Sequence, residues 1–351
     1  MEFPLTDSSI ATLSEAEKLD RATIICWEAW GLSGAFKVLP SERDHIFSVD
    51  ASNGVRYLLK ISGPGEAELV ADFQTQAILH LARIIPALPV PQLVLDREGR
   101  YSFRTDWPGT QAPIVRLYRW LDGVLMADSP NSHSQVASLG ALQAHLLLAL
   151  ADFEHPGADY YSCWDIKNTA DLSPRLSVIH DTSRRALVEA AIEKFITGTK
   201  PALNHLRCQV IHADLTPFNV LVDRFDNQKV NGIIDFGDIV RSPLVCDVAI
   251  AASYFIGKGG DNPMALPAAL VSAFHAVIPL SPEEIMLIAP LMEARHATTV
   301  AISEDSAARD SKNRAHLTKN TSTAWRGLEI LSQESMEHWA RTFLLSCELE
   351  S

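Results

Sequence analysis

The stretch VIHADLTPFNVLV at residues 210–222 constrains this chain more than any other. An apolar run enters a polar loop holding His212, Asp214 and Asn219, and a second apolar run leaves it. Ten residues later GIIDFGD, at 232–238, repeats the device: an apolar run delivers Asp235 at its end, with Asp238 just beyond. Short β-branched runs bounded by turn residues read as strands. Two adjacent hairpin-like units, each ending on acidic or amide side chains, are therefore expected in one compact patch at 209–238. Either aspartate alone would be read as a turn-capping residue. The H-x-D-x-x-x-x-N spacing between two strands, followed by D-F-G, is far more specific.

Those residue types suit phosphoryl transfer. The reaction needs a nucleophile held in line and charge neutralised on the β- and γ-phosphates, more than it needs covalent chemistry. Asp214 is placed to accept a hydroxyl proton, with His212 in the same catalytic loop expected to orient it and not to act as the base. Asn219 and Asp235 offer the oxygen ligands that a hard cation such as Mg2+ prefers. Lys60, near the end of the run VRYLLKI at 55–61, is the candidate phosphate-pairing lysine. Its acidic partner is expected from the following helix, where Asp72 and Glu68 compete and Asp72 is preferred. The turn PSERDH at 40–45 has no glycine, so phosphate would be covered by Ser41 and backbone N–H groups, with Arg43 beside Glu42.

The rest of the chain divides by character. A helix is expected over 14–30 with Ser14 as N-cap. Strands are expected over 35–39, 45–50 and 55–61, then a helix over 66–85. A hairpin over 94–103 turning at Glu98 and Gly99, and a strand over 114–120, complete the first part. Beyond Asp122 and Gly123, helical patterns dominate: 134–152, 184–197 and 282–303, the last opening with Ser281, Pro282 and Glu284 as a capping box. The expected fold is α+β and bilobed: residues 1–121 as a small β-rich nucleotide-binding lobe, and residues 122–351 as a larger, mainly helical catalytic and substrate-binding lobe.

Composition narrows the partners. A formal charge of −13 argues against nucleic-acid binding, which needs clustered Lys and Arg. The acidic N-terminus (Glu2, Asp7, Glu15, Glu17) is unlike a signal peptide, and the longest apolar runs are too short to cross a membrane. Five scattered cysteines, none in a CxxC pair, suggest reduced thiols and a cytoplasmic protein. The oligomeric state is left open.

These motifs resemble the aminoglycoside phosphotransferase, choline kinase and type II homoserine kinase superfamily, which has a protein-kinase-like fold, and within it the hydroxylysine kinase-like phosphotransferases. The resemblance runs from about residue 20 to about residue 335. It includes the 41–47 turn, Asp72-Phe73-Gln74, the strand at 115–123, Trp164 to Asn168, both acidic loops, Asp247-Val248-Ala249 and the helix around Arg295. It implies ATP or GTP as phosphate donor, Mg2+ at Asn219 and Asp235, Asp214 as base and Lys60 on phosphate. Backbone near Tyr118 and Trp120 would meet the nucleotide base, and Asp247 would support the catalytic loop. Asp72 stands where the family has Glu, Ile46 where Asn is frequent, and Arg241-Ser242-Pro243 where aromatic residues are common.

For a hydroxylysine-like acceptor, Arg295 is the candidate for its carboxylate. Asp165 and Asp238 are candidates for its ammonium, with Trp164 stacking on it. The expected function is a Mg2+-dependent small-molecule kinase acting on an amino alcohol or hydroxy-amino acid. Homoserine, choline-like alcohols and aminoglycosides are the alternative acceptors. A catalytically silent nucleotide-binding scaffold is the alternative outside enzymes; the intact Lys60, Asp214, Asn219 and Asp235 count against it.

Overall fold

The computed structural model describes residues 13–41, 44–63, 65–108 and 112–348. Glu2, Asp7, Glu42 and Arg43, named above, lie outside the described residues. Two compact units divide the chain, with boundaries after Leu79, Val90 and Leu121.

The first unit begins with α1 (Glu15–Trp30), whose start is a capping box: Ser14 accepts from the Glu17 N–H and Glu17 accepts from the Ser14 N–H. Strands β1 (Gly34–Leu39), β2 (His45–Ala51) and β3 (Arg56–Ile61) follow, then α2 (Glu68–Ile84). Short strands β4 (Gln92–Leu93) and β5 (Phe103–Arg104) precede β6 (Ile114–Arg119). The sheet is antiparallel in the order β1-β2-β3-β6-β4, with β5 also on β6. Phe47, Val49, Leu59, Ile61, Val115 and Leu117 bury one face of this sheet against Ala22, Ile25 and Cys26 of α1. Because side chains alternate across a strand, burying Tyr57, Leu59 and Ile61 on that face turns Lys60 to the other.

The expected 94–103 hairpin does not form. β4 and β5 pair with β6 instead of with each other. The intervening turn is closed by Asp96, whose Oδ1 accepts the N–H groups of Glu98 and Arg100 at 2.9 and 2.8 Å. The side chain thus reinforces a turn that also has a backbone bond from the Asp96 N–H to Arg100 O at 2.9 Å.

The second unit takes His80–Val90 together with everything from Asp122 onwards. The 80–90 segment is tied there by His80 Nε2 donating to Ala149 O at 2.8 Å and by Ile233 N donating to Pro89 O at 2.9 Å. Its elements are β7 (Val124–Leu125), α3 (His133–Ala149), a 3-10 segment at Ile166–Val178, α4 (Thr182–Lys194), α5 (Lys200–Leu203), β8 (Cys208–Ile211), β9 (Val220–Val222), β10 (Val230–Ile233) and β11 (Val240–Pro243). Helices α6 (Leu244–Ser253), α7 (Ala265–His275), α8 (Pro282–Met286), α9 (Ile288–Arg309), α10 (Arg314–Leu317), α11 (Thr321–Leu331) and α12 (Met336–Ser346) complete it.

Helix α9 is buried almost all round, which is unusual for a helix carrying Glu293, Arg295, His296 and Asp305. Its buried carboxylates are paired: Glu293 with Lys194 and Asp305 with Arg175, each at 2.8 Å. The single helix expected over 282–303 is in fact two, interrupted at Leu287, with Ser281 and Glu284 capping the first. At α3, Gly140 permits close packing on α7, since a Cβ there would stand 2.2 Å from Leu270 O. All five cysteines are free thiols. Among the described residues no helix is long and apolar enough to cross a membrane.

Candidate active site

Two strand pairs build the acidic site of the second unit. β8 pairs antiparallel with β11, Ile211 opposite Val240, and β9 pairs with β10, Val220 opposite Ile233. The loops joining them, 212–219 and 234–239, are stitched together by Ile234 N donating to Asn219 O at 2.9 Å and His212 Nε2 donating to Ile234 O at 3.1 Å. Sequence order alone puts Asp214, Asn219 and Asp235 in these loops; the stitching brings the loops side by side.

Each of the two loops holds one residue in an unfavourable backbone conformation. Ala213 has φ of 61° and Asp235 φ of 62°, left-handed values that cost a non-glycine residue about 1–3 kcal/mol. Ala213 is locked by Asp247, whose Oδ1 accepts its N–H at 2.6 Å while Oδ2 accepts from Gln143 Nε2 at 2.9 Å. Asp247 is fully buried, and burial pushes its carboxyl above the usual carboxylate range. His212 is also fully buried, and its Nδ1 accepts the Asp214 N–H at 3.3 Å. Both ring nitrogens are engaged with backbone, so His212 orients the loop and has no nitrogen left to act as a base.

Asp214 sits at the centre of this arrangement. Its Oδ2 accepts from Asn219 Nδ2 at 2.7 Å and its Oδ1 from Arg295 Nη2 at 2.6 Å. Burial drives its carboxyl up to about 7; Arg295 pulls it down, and the charges of Asp238 and Asp235 add to the rise. A carboxyl tuned into that range suits proton transfer near neutrality. Asn219 spends its amide N–H on Asp214, which leaves its amide oxygen as the atom able to face a cation. Asp235 is exposed, and one of its oxygens accepts the Gly237 N–H at 3.1 Å. Among the described residues no three His, Cys, Asp or Glu side chains cluster so as to hold a metal by themselves.

Three of the residues expected to meet an acceptor have other engagements. Arg295 is 2% exposed, its Nη2 shared between Asp214 and the Tyr254 hydroxyl at 3.0 Å. Trp164 lies over the Arg295 guanidinium, 5.4 Å from ring centre to Cζ. Asp165 is buried, accepts from Ser242 Oγ at 2.9 Å and pairs with Lys167 at 2.9 Å. For Arg295 and Asp165 the reason is the same, since a buried charge must be met by a protein partner, and Trp164 is engaged as the face against which the guanidinium packs.

In the first unit, Lys60 Nζ stands 2.8 Å from Asp44 Oδ2, and Asp44 Oδ1 accepts the Gly63 N–H at 2.9 Å. One carboxylate on the lysine thus comes from Asp44, just before β2, brought close because Ile46 lies opposite Lys60 in the sheet. Asp72 also accepts from Gln76 on its own helix, and Glu68 meets Arg104. Ser41 accepts the Asp44 N–H at 3.1 Å and so shapes the turn. A cavity of about 320 Å3 lies at this turn, lined by Ser41, Asp44, His45, Ile46 and, from α1, Lys18. Tyr118 pairs through its backbone with Leu58 and Leu93, and Arg56 stacks on Trp120 at 4.1 Å.

Asp44, Lys18, Arg116 and Tyr254 were not foreseen. Arg116 carried a signal: a charge inside the apolar strand IVRLYR needs buried partners, and it has Gln74 and Glu66, both at 2.8 Å. Tyr254 carried none, being one more apolar-flanked residue at the end of α6.

Residues 36–275 match the model of the phosphotransferase enzyme family. The chain belongs to this family. Hydroxylysine kinase of Mus musculus is 27% identical over 328 residues, covering 87% of each chain. Homoserine kinase of Neisseria meningitidis serogroup B is 36% identical over 211 residues, covering 58% of this chain and 62% of the relative. Among solved structures, the amicoumacin kinase hAmiN in complex with AMP-PNP, Ca2+ and Ami superposes with a TM-score of 0.66 at 14% identity, over 93% of this chain and 97% of the other. The microcompartment-associated aminopropanol kinase superposes with a TM-score of 0.64 at 16% identity, over 93% and 98%. This family member therefore has the α+β phosphotransferase fold, and it is an enzyme, a small-molecule kinase.

Proposed function

We propose that this phosphotransferase moves the γ-phosphate of ATP or GTP, as its Mg2+ complex, to a hydroxyl of an amino alcohol or hydroxy-amino acid, with 5-hydroxylysine as first choice. The observation that carries the reading is Asp214: a carboxyl tuned toward neutrality, fixed beside Asn219, on a loop stitched to the one that bears Asp235. Asp214 accepts the acceptor's hydroxyl proton as the oxygen attacks phosphorus, and the β-phosphate oxygen leaves with the nucleotide. Lys60, steadied by Asp44, pairs with donor phosphate, and Ser41, Lys18 and Arg43 serve the same end of the nucleotide. Backbone of the Tyr118–Trp120 strand end meets the base.

The donor set fits Mg2+. The Asn219 amide oxygen and the exposed Asp235 carboxylate are hard ligands, and a pair of protein oxygens would suffice where the donor's phosphates and water supply the remaining ligands. Such an ion would neutralise developing charge on the transferring phosphoryl group.

Two things favour an acceptor bearing an amine. Asp238 adds negative charge to the surroundings of Asp214 beyond the Asp235 carboxylate that the metal would neutralise, and such a charge draws a cation. Three relatives that span 86–93% of this chain are hydroxylysine kinases. Homoserine is the second choice, on the 36% identity to a homoserine kinase.

Nucleotide consumption is measured with ATP and GTP against 5-hydroxylysine, homoserine, choline, an amino alcohol and an aminoglycoside. A hydroxylated amine should raise the rate at least tenfold above the acceptor-free rate. No stimulation by any of the five, with folded protein and Mg2+ present, would overturn the reading.

A further inference from the structure

Arg295 enters the chain 81 residues after Asp214, from a different helix, yet its Nη2 lies 2.6 Å from the aspartate Oδ1. Asp214 is thus gripped at both oxygens, by Arg295 on Oδ1 and by Asn219 on Oδ2 at 2.7 Å. A carboxylate has about four acceptor positions, so this grip fixes its plane and still leaves positions on both oxygens for an incoming hydroxyl. The guanidinium is itself immobilised. The rings of Trp164 and Tyr254 lie 5.4 and 5.7 Å from its Cζ, and the Tyr254 hydroxyl shares Nη2 at 3.0 Å. Its other two nitrogens, Nε and Nη1, are buried without a hydrogen-bond partner. An arginine buried only to knit helices together would be expected to spend all its donors. This one is oriented by two aromatic rings and directs its bonded nitrogen at the base.

We propose, resting on the reading of Asp214 as base, that Arg295 is a positioning residue that aims the Asp214 carboxylate at the acceptor hydroxyl, with Trp164 and Tyr254 as its mount. A receptor for the acceptor's own carboxylate is the competing role that the test separates from it.

Removing Arg295 therefore has a signature that a merely structural residue would lack. Turnover should drop at least 30-fold in Arg295→Met and recover at least fivefold in Arg295→Lys, which restores a cationic donor beside Oδ1. The KM for nucleotide should stay within threefold. Tyr254→Phe deletes one hydroxyl of the mount and should lower turnover the same way by less, so it serves if the Arg295 variants do not fold. The parallel panel compares an acceptor carrying a carboxylate with a carboxylate-free amino alcohol, in parent and variants. Equal losses of turnover on both acceptors support positioning. A loss confined to the KM of the carboxylate-bearing acceptor, or turnover unchanged in Arg295→Met, would overturn it. Parent and Asp214→Asn are run alongside: if the parent transfers phosphate and Asp214→Asn does not, the kinase reading stands whichever way Arg295 falls.

Discussion

Replacing Asp247 with alanine should damage stability and turnover together, through a residue that need not touch a substrate. Its carboxylate satisfies two donors, the Ala213 N–H at 2.6 Å and Gln143 Nε2 at 2.9 Å. Leaving a buried donor unpaired costs about 1–3 kcal/mol each, so the gross loss is about 2–6 kcal/mol. Relief of the burial penalty on the carboxylate, visible as its raised pKa, offsets part of that. A net destabilisation of about 3 kcal/mol follows. The catalytic consequence comes from Ala213, whose left-handed φ of 61° persists only while something holds it. Once released, the peptide before Asp214 can relax, and a misplacement of about 1 Å is worth about a hundredfold in rate. Asp247→Asn keeps an acceptor for the Ala213 N–H, so it should lose only about 1 kcal/mol and much less turnover. Urea unfolding followed by tryptophan fluorescence gives the stability, and steady-state nucleotide consumption gives kcat. Asp247→Ala within about 0.5 kcal/mol of the parent and within threefold in kcat would refute the anchoring role.

Asp214→Asn should lower transfer at least a thousandfold while Mg·ATP still raises the melting temperature, because the amide keeps the shape and loses the base. Asp235→Ala should weaken nucleotide binding at least tenfold in the presence of Mg2+ and leave Mg2+-free binding little changed, as read by titration calorimetry. His296 is buried with its Nε2 unpaired, and burial, with Arg295 beside it, lowers its pKa to about 3 from 6.5. A depressed histidine stabilises the fold above pH 6.5, and that contribution drains away as pH falls toward 3, at up to about 1.4 kcal/mol per pH unit. His296→Gln should therefore lose stability less steeply than the parent between pH 6 and pH 4, and parallel unfolding curves would contradict the assignment.

The chain itself determined whatever is carried by neighbours along the backbone. The order strand, His-x-Asp loop, strand, then Asp-Phe-Gly is contiguous, so the acidic residues and their loops could be read directly. The same holds for the capping boxes at Ser14 with Glu17 and Ser281 with Glu284, and for the alternation that turns Lys60 away from the buried face of β3. Helix lengths were less secure: hydrophobic spacing continues through Leu287, where the backbone breaks. The short strands β4 and β5 were misread as partners of each other because a turn at 96–100 looks alike whether its arms pair together or with a third strand.

Tertiary structure alone decided the company each charge keeps. Lys60 meets Asp44 across a sheet register, Ala213 meets Asp247 from 34 residues away, and Arg295 meets Asp214 from 81. No periodicity encodes those distances. A charge withdrawn from water must be answered by whichever opposite group the packing leaves beside it, and that choice exists only once the elements have docked. Residue types thus announce the chemistry, while the pairings that tune and aim it belong to the folded chain.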